Sequence, residues 1–338
     1  MYYSDFIKSL AKAPSIFTGK ITGSKETVLD SRRTVFIVNP HSGNGSTGRE
    51  WQRIEGMARQ VLGSFETYMT SGPGHATRLA RQNLLEGCAR IICVGGDGTL
   101  NEVVNGFMDE GGPIRPDALL GFVPNGTGCD FVRTVPLDRN LEKSLNTILG
   151  GHVRTIDLGR LRYQDYQGRQ ATRYFHNITS FGLGGEVDDR VNRTSKVCGP
   201  FLSFIWATIL SIFVYGKKRI HLRVDDDFEK DVIIWNIAVA NGRYHGGGMC
   251  VAPDALVDDG LFHVTVIGDL TLPEVFWNLP KLYNGKIKTI QQVFTLTAKR
   301  VIAESEQTVL LDVDGEQPGR LPVVIDMVPG ALKMITHS

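Results

Sequence analysis

Arg90-Ile91-Ile92-Cys93-Val94-Gly95-Gly96-Asp97-Gly98-Thr99-Leu100-Asn101-Glu102-Val103-Val104-Asn105-Gly106 is the stretch whose reading decides the fold. The apolar run at 91–94 is too short for a helix and suits a buried parallel strand. Beyond the glycines, Leu100, Val103, Val104 and Phe107 fall at i, i+3, i+4 and i+7, one face of a helix that Gly111-Gly112-Pro113 should stop. The glycines therefore occupy a strand-to-helix turn. Three of them in four positions let a bulky anion approach the backbone, and the free N–H groups of the first helical turn favour phosphate. Asp97 is the unusual member, because a carboxylate beside phosphate is repulsive unless a divalent cation lies between them or a proton must be moved. A tight turn with a solvated aspartate would account for Gly-Asp-Gly alone, not for the whole run.

Three further strand-to-loop transitions surround this one. Strand 34–38 leads into Asn39-Pro40-His41-Ser42-Gly43-Asn44-Gly45 and a helical stripe of Trp51, Ile54, Ala58, Val61 and Leu62. Strand 65–69 leads into Thr70-Ser71-Gly72-Pro73-Gly74-His75 and a helix with Ala76, Leu79, Ala80 and Leu84 inward. Strand 118–123 leads into Pro124-Asn125-Gly126-Thr127-Gly128-Cys129-Asp130. A βαβα series of this kind puts all four loops along the carboxyl edge of one parallel, doubly wound sheet, where ligands of such folds sit. Past about Ile156 the pattern changes. Runs at 174–181, 219–224, 232–240, 261–267, 308–313 and 321–328 alternate or stay apolar between Gly and Asp turns, and helical pattern is confined to parts of 185–215 and 272–283. This predicts an α/β domain over 31–156 and a mainly antiparallel β-sandwich domain over 157–338, with a cleft between them. Residues 1–30 are an extension without assignment.

Composition narrows the function classes. The 338 residues suffice for two domains, and 37 basic against 36 acidic residues, net +1, do not describe a nucleic-acid binder. Five cysteines (Cys88, Cys93, Cys129, Cys198, Cys250) without C-x-x-C pairs point to neither a disulfide framework nor a zinc site, which fits a reducing cytoplasm. The first residues lack the basic flank and apolar stretch of a signal peptide. The apolar segment 201–215, interrupted by Ser203, Thr208 and Ser211, is short of the roughly 18 to 20 residues that span a bilayer. It reads as a core helix or as a surface helix that docks on a membrane, with Lys217-Lys218-Arg219 beyond it available to anionic headgroups.

Taken together, the ordered blocks resemble the diacylglycerol kinase catalytic domain family, which includes bacterial lipid kinases and the sphingosine kinases. Gly95 to Gly106 resembles its signature, and the three other loops match in order. They are followed by Asn241-Gly242 with Gly246-Gly247-Gly248, by Pro253-Asp254-Ala255-Leu256-Val257-Asp258-Asp259-Gly260, and by Asp314-Gly315-Glu316. The glycine run alone would also suit NAD kinases and phosphofructokinases, and the first domain is expected to share their fold. Cys129 stands where the family often has alanine or another small residue. The resemblance implies an ATP-dependent, Mg²⁺-dependent lipid kinase that transfers the γ-phosphoryl to a hydroxyl of diacylglycerol, a sphingoid base or a related lipid. It further implies a nucleotide site of Asn39, Pro40, His41, Ser42, Gly43, Thr70, Gly95, Gly96, Asp97, Gly98, Thr99, Leu100, Asn101 and Thr127.

Residues two apart on a strand point to one side, so Asp314 and Glu316 are expected to face Asp97 across the cleft; a plain Asp-Gly turn is the alternative. By the resemblance, Glu316 is the general base, Asp314 supports it and Asp97 holds the Mg²⁺ of the nucleotide. Asp254, the Val257 carbonyl and Asp259 resemble a structural Mg²⁺ site of related bacterial lipid kinases, with a solvated acidic turn as the alternative. The expected partner is a lipid at a membrane surface, met by a cytoplasmic protein that is peripheral at the inner face, with a homodimer left open and no nucleic acid. An NAD kinase-like small-molecule kinase and a non-catalytic lipid-binding or regulatory protein are the competing readings.

Overall fold

The computed structural model describes residues 33–126, 128–185 and 216–337. Its first layer is the series read from the sequence: β1 (Thr34–Val38), α1 (Ser46–Leu62), β2 (Glu66–Met69), α2 (His75–Leu85), β3 (Arg90–Gly95), α3 (Asp97–Phe107) and β4 (Leu119–Pro124). The strands run parallel in the order β2-β1-β3-β4. Alternation along a strand assigns side chains to opposite faces. Val35 and Ile37 of β1 meet the apolar faces of α2 and α3, whereas Phe36 and Val38 meet Trp51, Ile54 and Ala58 of α1. Both faces are thus covered, which is why β1 and β3 contain no polar residue between Val35 and Val94 register partners. Helices α2 and α3 touch at Gly106, where a Cβ would lie 2.5 Å from that of Ala80 and 2.7 Å from the Thr77 carbonyl oxygen. Helix α3 ends at Phe107, before the glycines expected to stop it, because Met108 and Asp109 turn into a short antiparallel pair with Gly112 and Pro113.

A further helix, α4 (Leu141–Gly150), packs beside α1 through Leu145 and Ile148. The Asn140 side chain caps it by accepting from Lys143 N, and Gly151 closes it in the left-handed conformation at φ 67°.

The chain then builds a sandwich. Strands β5 (Val153–Gln164), β6 (Gln170–Phe175), β8 (Lys218–Val224), β9 (Phe228–Ile234), β13 (Arg300–Glu304) and β15 (Arg320–Ile335) extend the first sheet to ten strands. Opposite them lies an antiparallel sheet in the order β12-β11-β10-β7-β14, formed by Val293–Ala298, Phe262–Ile267, Asn236–Ala240, Ile178–Gly182 and Leu311–Val313. Between the layers, Phe175 stacks on Phe262 with ring centroids 5.6 Å apart, among Phe181, Leu222, Val264 and Ile325. The last strand ties the halves together: β15 pairs antiparallel with β5 along its length, and Lys333 and Met334 pair parallel with Leu119 and Leu120 of β4.

Two runs expected as single strands are broken. The 174–181 run divides at His176 and Asn177, whose N–H groups donate to the Asp314 carboxylate instead of to a ladder. The 232–240 run divides at Trp235, a buried corner whose indole N–H donates to Leu270 O at 2.8 Å, so that β9 and β10 enter different sheets. Helix α5 (Leu272–Tyr283) occupies the place where helical pattern is read.

Candidate functional site

The four loops leave the carboxyl edge of the first sheet already tied to one another. Asn39 N donates to Val94 O, Thr70 N to Val38 O and Asn125 N to Gly95 O, at 3.0, 2.8 and 2.7 Å. The Asn39 side chain donates to Thr99 Oγ1 at 2.9 Å and accepts from His41 N at 3.0 Å, which joins the first loop to the glycine turn and folds it back on itself. Glu102, one turn into α3, accepts from Gly74 N and Ala76 N, and so fixes the second loop at the start of α2. Gly96 and Gly126 bring the third and fourth loops into backbone contact: a Cβ on Gly126 would lie 2.5 Å from Gly96 Cα. The result is a cleft of about 440 Å³.

Asn39, His41, Ser42, Gly43, Thr70, Gly96, Gly98 and Thr99 line that cleft, together with Glu316 from the β-sandwich. Pro40, Gly95, Asp97, Leu100 and Asn101 do not line it, and Thr127 lies outside the described residues. The reason is helical geometry. Leu100 is fully buried in the core under the sheet, and Asn101 is fully buried among polar partners described next.

The structure corrects the reading of Asp314. Asp314 and Gly315 form a tight turn closed by the reciprocal bonds Val313 N to Glu316 O and Glu316 N to Val313 O, with Asp314 at φ 51°, so Asp314 and Glu316 do not share a strand face. The buried Asp314 carboxylate turns inward and accepts from His176 N, Asn177 N, Ile178 N and Asn101 Nδ2 at 2.8 to 3.1 Å, with His176 Nδ1 at 2.8 Å. Burial would raise its pKa, but the His176 imidazole, the His176 N–H and the Asn101 amide outweigh that effect and hold the carboxyl below its ordinary range. Glu316 alone reaches the cleft. Its Oε1 stands 3.0 Å from where a Cβ on Gly98 would be, and its Oε2 accepts from Arg173 at 2.5 Å. The Arg173 guanidinium also donates twice to Asn101 Oδ1. One network thus runs from helix α3 through Arg173 and Asp314 to both ends of the turn that carries Glu316.

Asp97 faces the fourth loop rather than the open cleft. Its Oδ2 accepts from Asp130 N at 3.2 Å. Burial, and then the neighbouring Asp130 charge, push its pKa up. Asp97 Oδ1 and Asp130 Oδ1 are buried and accept no hydrogen bond among the described residues, although Arg133 Nε lies 3.4 Å from Asp130. Two crowded carboxylates with orphaned oxygens beside a glycine cradle are a fit for a divalent cation carried in with a polyphosphate.

The Asp254–Asp259 turn does not make the same case. Asp254 is ion-paired with Lys288, Val257 O accepts from Asp157 N at 2.7 Å, and Asp259 Oδ1 accepts from Leu261 N at 3.0 Å. Each expected donor has one protein partner among the described residues, and the acidic turn carries no orphaned oxygen of the kind found at Asp97 and Asp130. In the basic cluster expected to meet headgroups, Lys217 pairs with Asp269 and Arg219 with Asp231, both pairs at the surface. Segment 201–215 lies outside the described residues. The four described cysteines are buried and free. No described helix is long and apolar enough to cross a membrane.

Arg173, Glu102 and Asp130 were not singled out from the sequence. Arg173 sits in an alternating strand, Gln170–Phe175, where an outward arginine carries no signal of its own. Glu102 could have been found from its place one turn inside α3, and Asp130 from the block that contains it.

Comparison with known proteins agrees with this fold. The diacylglycerol kinase catalytic domain family matches residues 33–161, and the YegS C-terminal NAD kinase beta sandwich-like domain matches residues 177–336. The chain is 28% identical over 297 residues to a diacylglycerol kinase of Staphylococcus saprophyticus, covering 86% of this chain and 91% of that protein. It is 29% identical to one of Staphylococcus aureus, covering 86% and 88%. A crystal structure from Bacillus anthracis str. Sterne shares the fold with a TM-score of 0.73 at 24% identity, covering 90% of this chain and 95% of that one. A diacylglycerol kinase from the same organism does so with a TM-score of 0.66 at 21% identity, covering 90% and 97%.

Proposed function

The chain belongs to the diacylglycerol kinase catalytic domain family, and from that premise we propose that it transfers the γ-phosphoryl of ATP to a hydroxyl of a membrane lipid, with Mg²⁺. Diacylglycerol is the first candidate acceptor, because the relatives of similar length are diacylglycerol kinases; a sphingoid base is the second. The observation that carries the reading is the entry of Glu316, from the β-sandwich, into a cleft whose other walls are the four loops of the parallel sheet.

The loops receive the nucleotide, with the side-chain-free backbone of Gly96, Gly98 and Gly126 leaving room for the phosphates; at Gly126 a Cβ would collide with Gly96 Cα at 2.5 Å. Asp97 and Asp130 would hold Mg²⁺, which supplies neutralisation of charge on the transferring group. Glu316 accepts the proton of the lipid hydroxyl. The Arg173 guanidinium fixes the carboxylate in place, and a carboxylate suffices as the proton acceptor because phosphoryl transfer passes through a loose transition state in which the acceptor loses its proton late. Arg173 and Asn101 orient Glu316 from behind.

Incubating the protein with γ-labelled ATP and a total lipid extract should yield one phosphorylated lipid, formed by the parent and not by Glu316→Gln. Label passing to NAD or NADH while every lipid stays unlabelled would overturn the lipid reading in favour of a small-molecule kinase on the same fold.

A further inference from the structure

Asp312 stands two residues before Asp314, and its carboxylate is fully buried. Its neighbours Leu311 and Val313 point into the sandwich core, so alternation along β14 sends the Asp312 side chain to the other face of the sheet. A carboxylate is costly to bury unless donors surround it. Ser180 Oγ, on the paired strand β7, donates to Oδ2 at 3.1 Å, Gly315 N donates to Oδ1 at 2.9 Å, and His245 Nε2 lies 3.0 Å from Oδ2. The Gly315 bond bears on the site. Gly315 precedes Glu316, so Asp312 holds the amide of the turn from which Glu316 enters the cleft.

His245, itself mostly buried, belongs to a short hairpin of Tyr244–His245 with Met249–Cys250, closed by Gly246, Gly247 and Gly248 at φ 59°, 80° and 106°. Backbone bonds anchor this hairpin without the imidazole. Gly247 N donates to Asp130 Oδ2 at 2.7 Å, Arg243 N donates to Thr134 Oγ1 at 2.9 Å, and Tyr244 O accepts from Asn177 Nδ2 at 3.0 Å. Two of these three bonds reach Asp130 and Thr134, in and just beyond the fourth loop of the parallel sheet. A chain of contacts therefore runs from Asp130 through the hairpin, His245 and Asp312 to the amide beside Glu316.

We propose that His245 is a positioning residue for phosphoryl transfer: from a hairpin anchored at Asp130 it holds Asp312, and through the Gly315 amide it sets where the Glu316 carboxylate stands relative to Asp97 and Asp130. The inference rests on the lipid kinase reading. With its proton on Nε2 the imidazole donates to Asp312 Oδ2, and a buried polar cluster whose members are bonded to one another is rigid. Arg173 and Asp314 fix the turn from the side of α3, whereas His245 and Asp312 fix it from the side of the hairpin. A displacement of about 1 Å at a reacting group can cost on the order of 100-fold in rate, so a turn loosened on one side is visible in kcat.

The test compares the full chain with His245→Ala, His245→Gln, Glu316→Gln and the double variant His245→Ala, Glu316→Gln, using γ-labelled ATP, Mg²⁺ and a total lipid extract, with melting temperatures taken on the same preparations. His245→Ala should lower turnover at saturating substrates by about tenfold or more, while the Kd of a non-hydrolysable ATP analogue changes by less than about twofold. Glutamine carries an amide donor close to where Nε2 stands, so His245→Gln should recover most of the loss. In the Glu316→Gln background His245→Ala should cost nothing further, because it acts through that carboxylate. If His245→Ala does not fold, His245→Asn, whose shorter amide matches Nδ1 and falls short of Asp312, takes its place with the same expectations. Full turnover in the variant lacking the donor would overturn the proposal. So would a loss that His245→Gln does not recover, or one of equal size in both backgrounds, either of which would assign His245 to packing; weakened analogue binding with normal turnover at saturation would overturn it in favour of a nucleotide role. An active parent with any of these results leaves the kinase reading standing, whereas a parent that labels no lipid would refute that reading and the positioning role with it.

Discussion

Asp97 and Glu316 are carboxylates with opposite surroundings, and neutralising them should have different consequences. Asp97 is crowded by Asp130, and one of its oxygens is orphaned. In the free protein its charge is a cost. Asp97→Asn should therefore raise stability by roughly 1 to 2 kcal/mol while lowering kcat by about 100-fold or more, since on the proposed mechanism the charge is useful only when Mg·ATP is bound. Urea midpoints and steady-state rates on the same preparations check both halves; a variant that loses stability would mean that the carboxylate is structural. Glu316 is half exposed and paired with Arg173. Glu316→Gln should reduce phosphoryl transfer by about 10² to 10⁴-fold and leave nucleotide affinity almost unchanged. Weakened ATP binding with normal turnover at saturation would place Glu316 on the nucleotide rather than on the acceptor.

At the scale of elements, the turn between β14 and β15 depends on Asp314, whose carboxylate gathers the N–H groups of His176 and Asn177, between β6 and β7, and of Ile178, the first residue of β7. Its folded pKa is depressed, so the stability it confers is complete above the unfolded value of about 4 and disappears as pH falls through the lower folded value. Asp314→Asn should cost about 3 kcal/mol at pH 7 by breaking a buried, fully bonded group. The difference from the parent should shrink steadily in urea titrations taken from pH 5 to pH 2; a gap independent of pH would assign the loss to packing. Such elements also show what a sequence makes visible. The parallel strands and α1 to α3 were legible because burial on both faces leaves continuous apolar runs and local glycine turns. The β5 strand and helix α4 carry equally ordinary signals, but they lie where the pattern changes, and a boundary drawn near Ile156 hid them. Asp314 was misassigned because period-2 alternation was extended into a turn: a φ of 51° places that residue outside any strand. The cleft side of Glu316 was legible from its resemblance block. The Arg173 to Asn101 clasp was not, because it joins residues 72 positions apart that meet only after the sandwich has closed.

For the whole molecule, the arrangement of β15 decides how the halves respond to a ligand. Two domains joined by a linker and a small interface move and unfold separately by default. Here the same strand pairs with β5 and β13 of the sandwich and, at Lys333 and Met334, with β4 of the parallel sheet. The buried residues Leu332 and Met334 belong to the core beneath the first sheet, and Val323 and Ile325 to the core of the sandwich. Opening either half therefore strips a strand from the other, and the Asn101 amide, bonded to Asp314 across the two, is lost in either event. Thermal unfolding of the described residues should accordingly be one cooperative transition, with the calorimetric and van't Hoff enthalpies equal. A non-hydrolysable ATP analogue with Mg²⁺ at about 100 times its Kd should stabilise that transition by about 2.7 kcal/mol. Because the proposed nucleotide site lies chiefly on the first sheet, hydrogen exchange is the sharper measurement. Amides in β10 and β11, which lie in the opposite sheet and far from the cleft loops in sequence, should slow by the same factor as those in β1 and β3. Slowing confined to β1 and β3, with a second thermal transition unaffected by the analogue, would show that the sandwich opens independently and that β15 does not couple the halves.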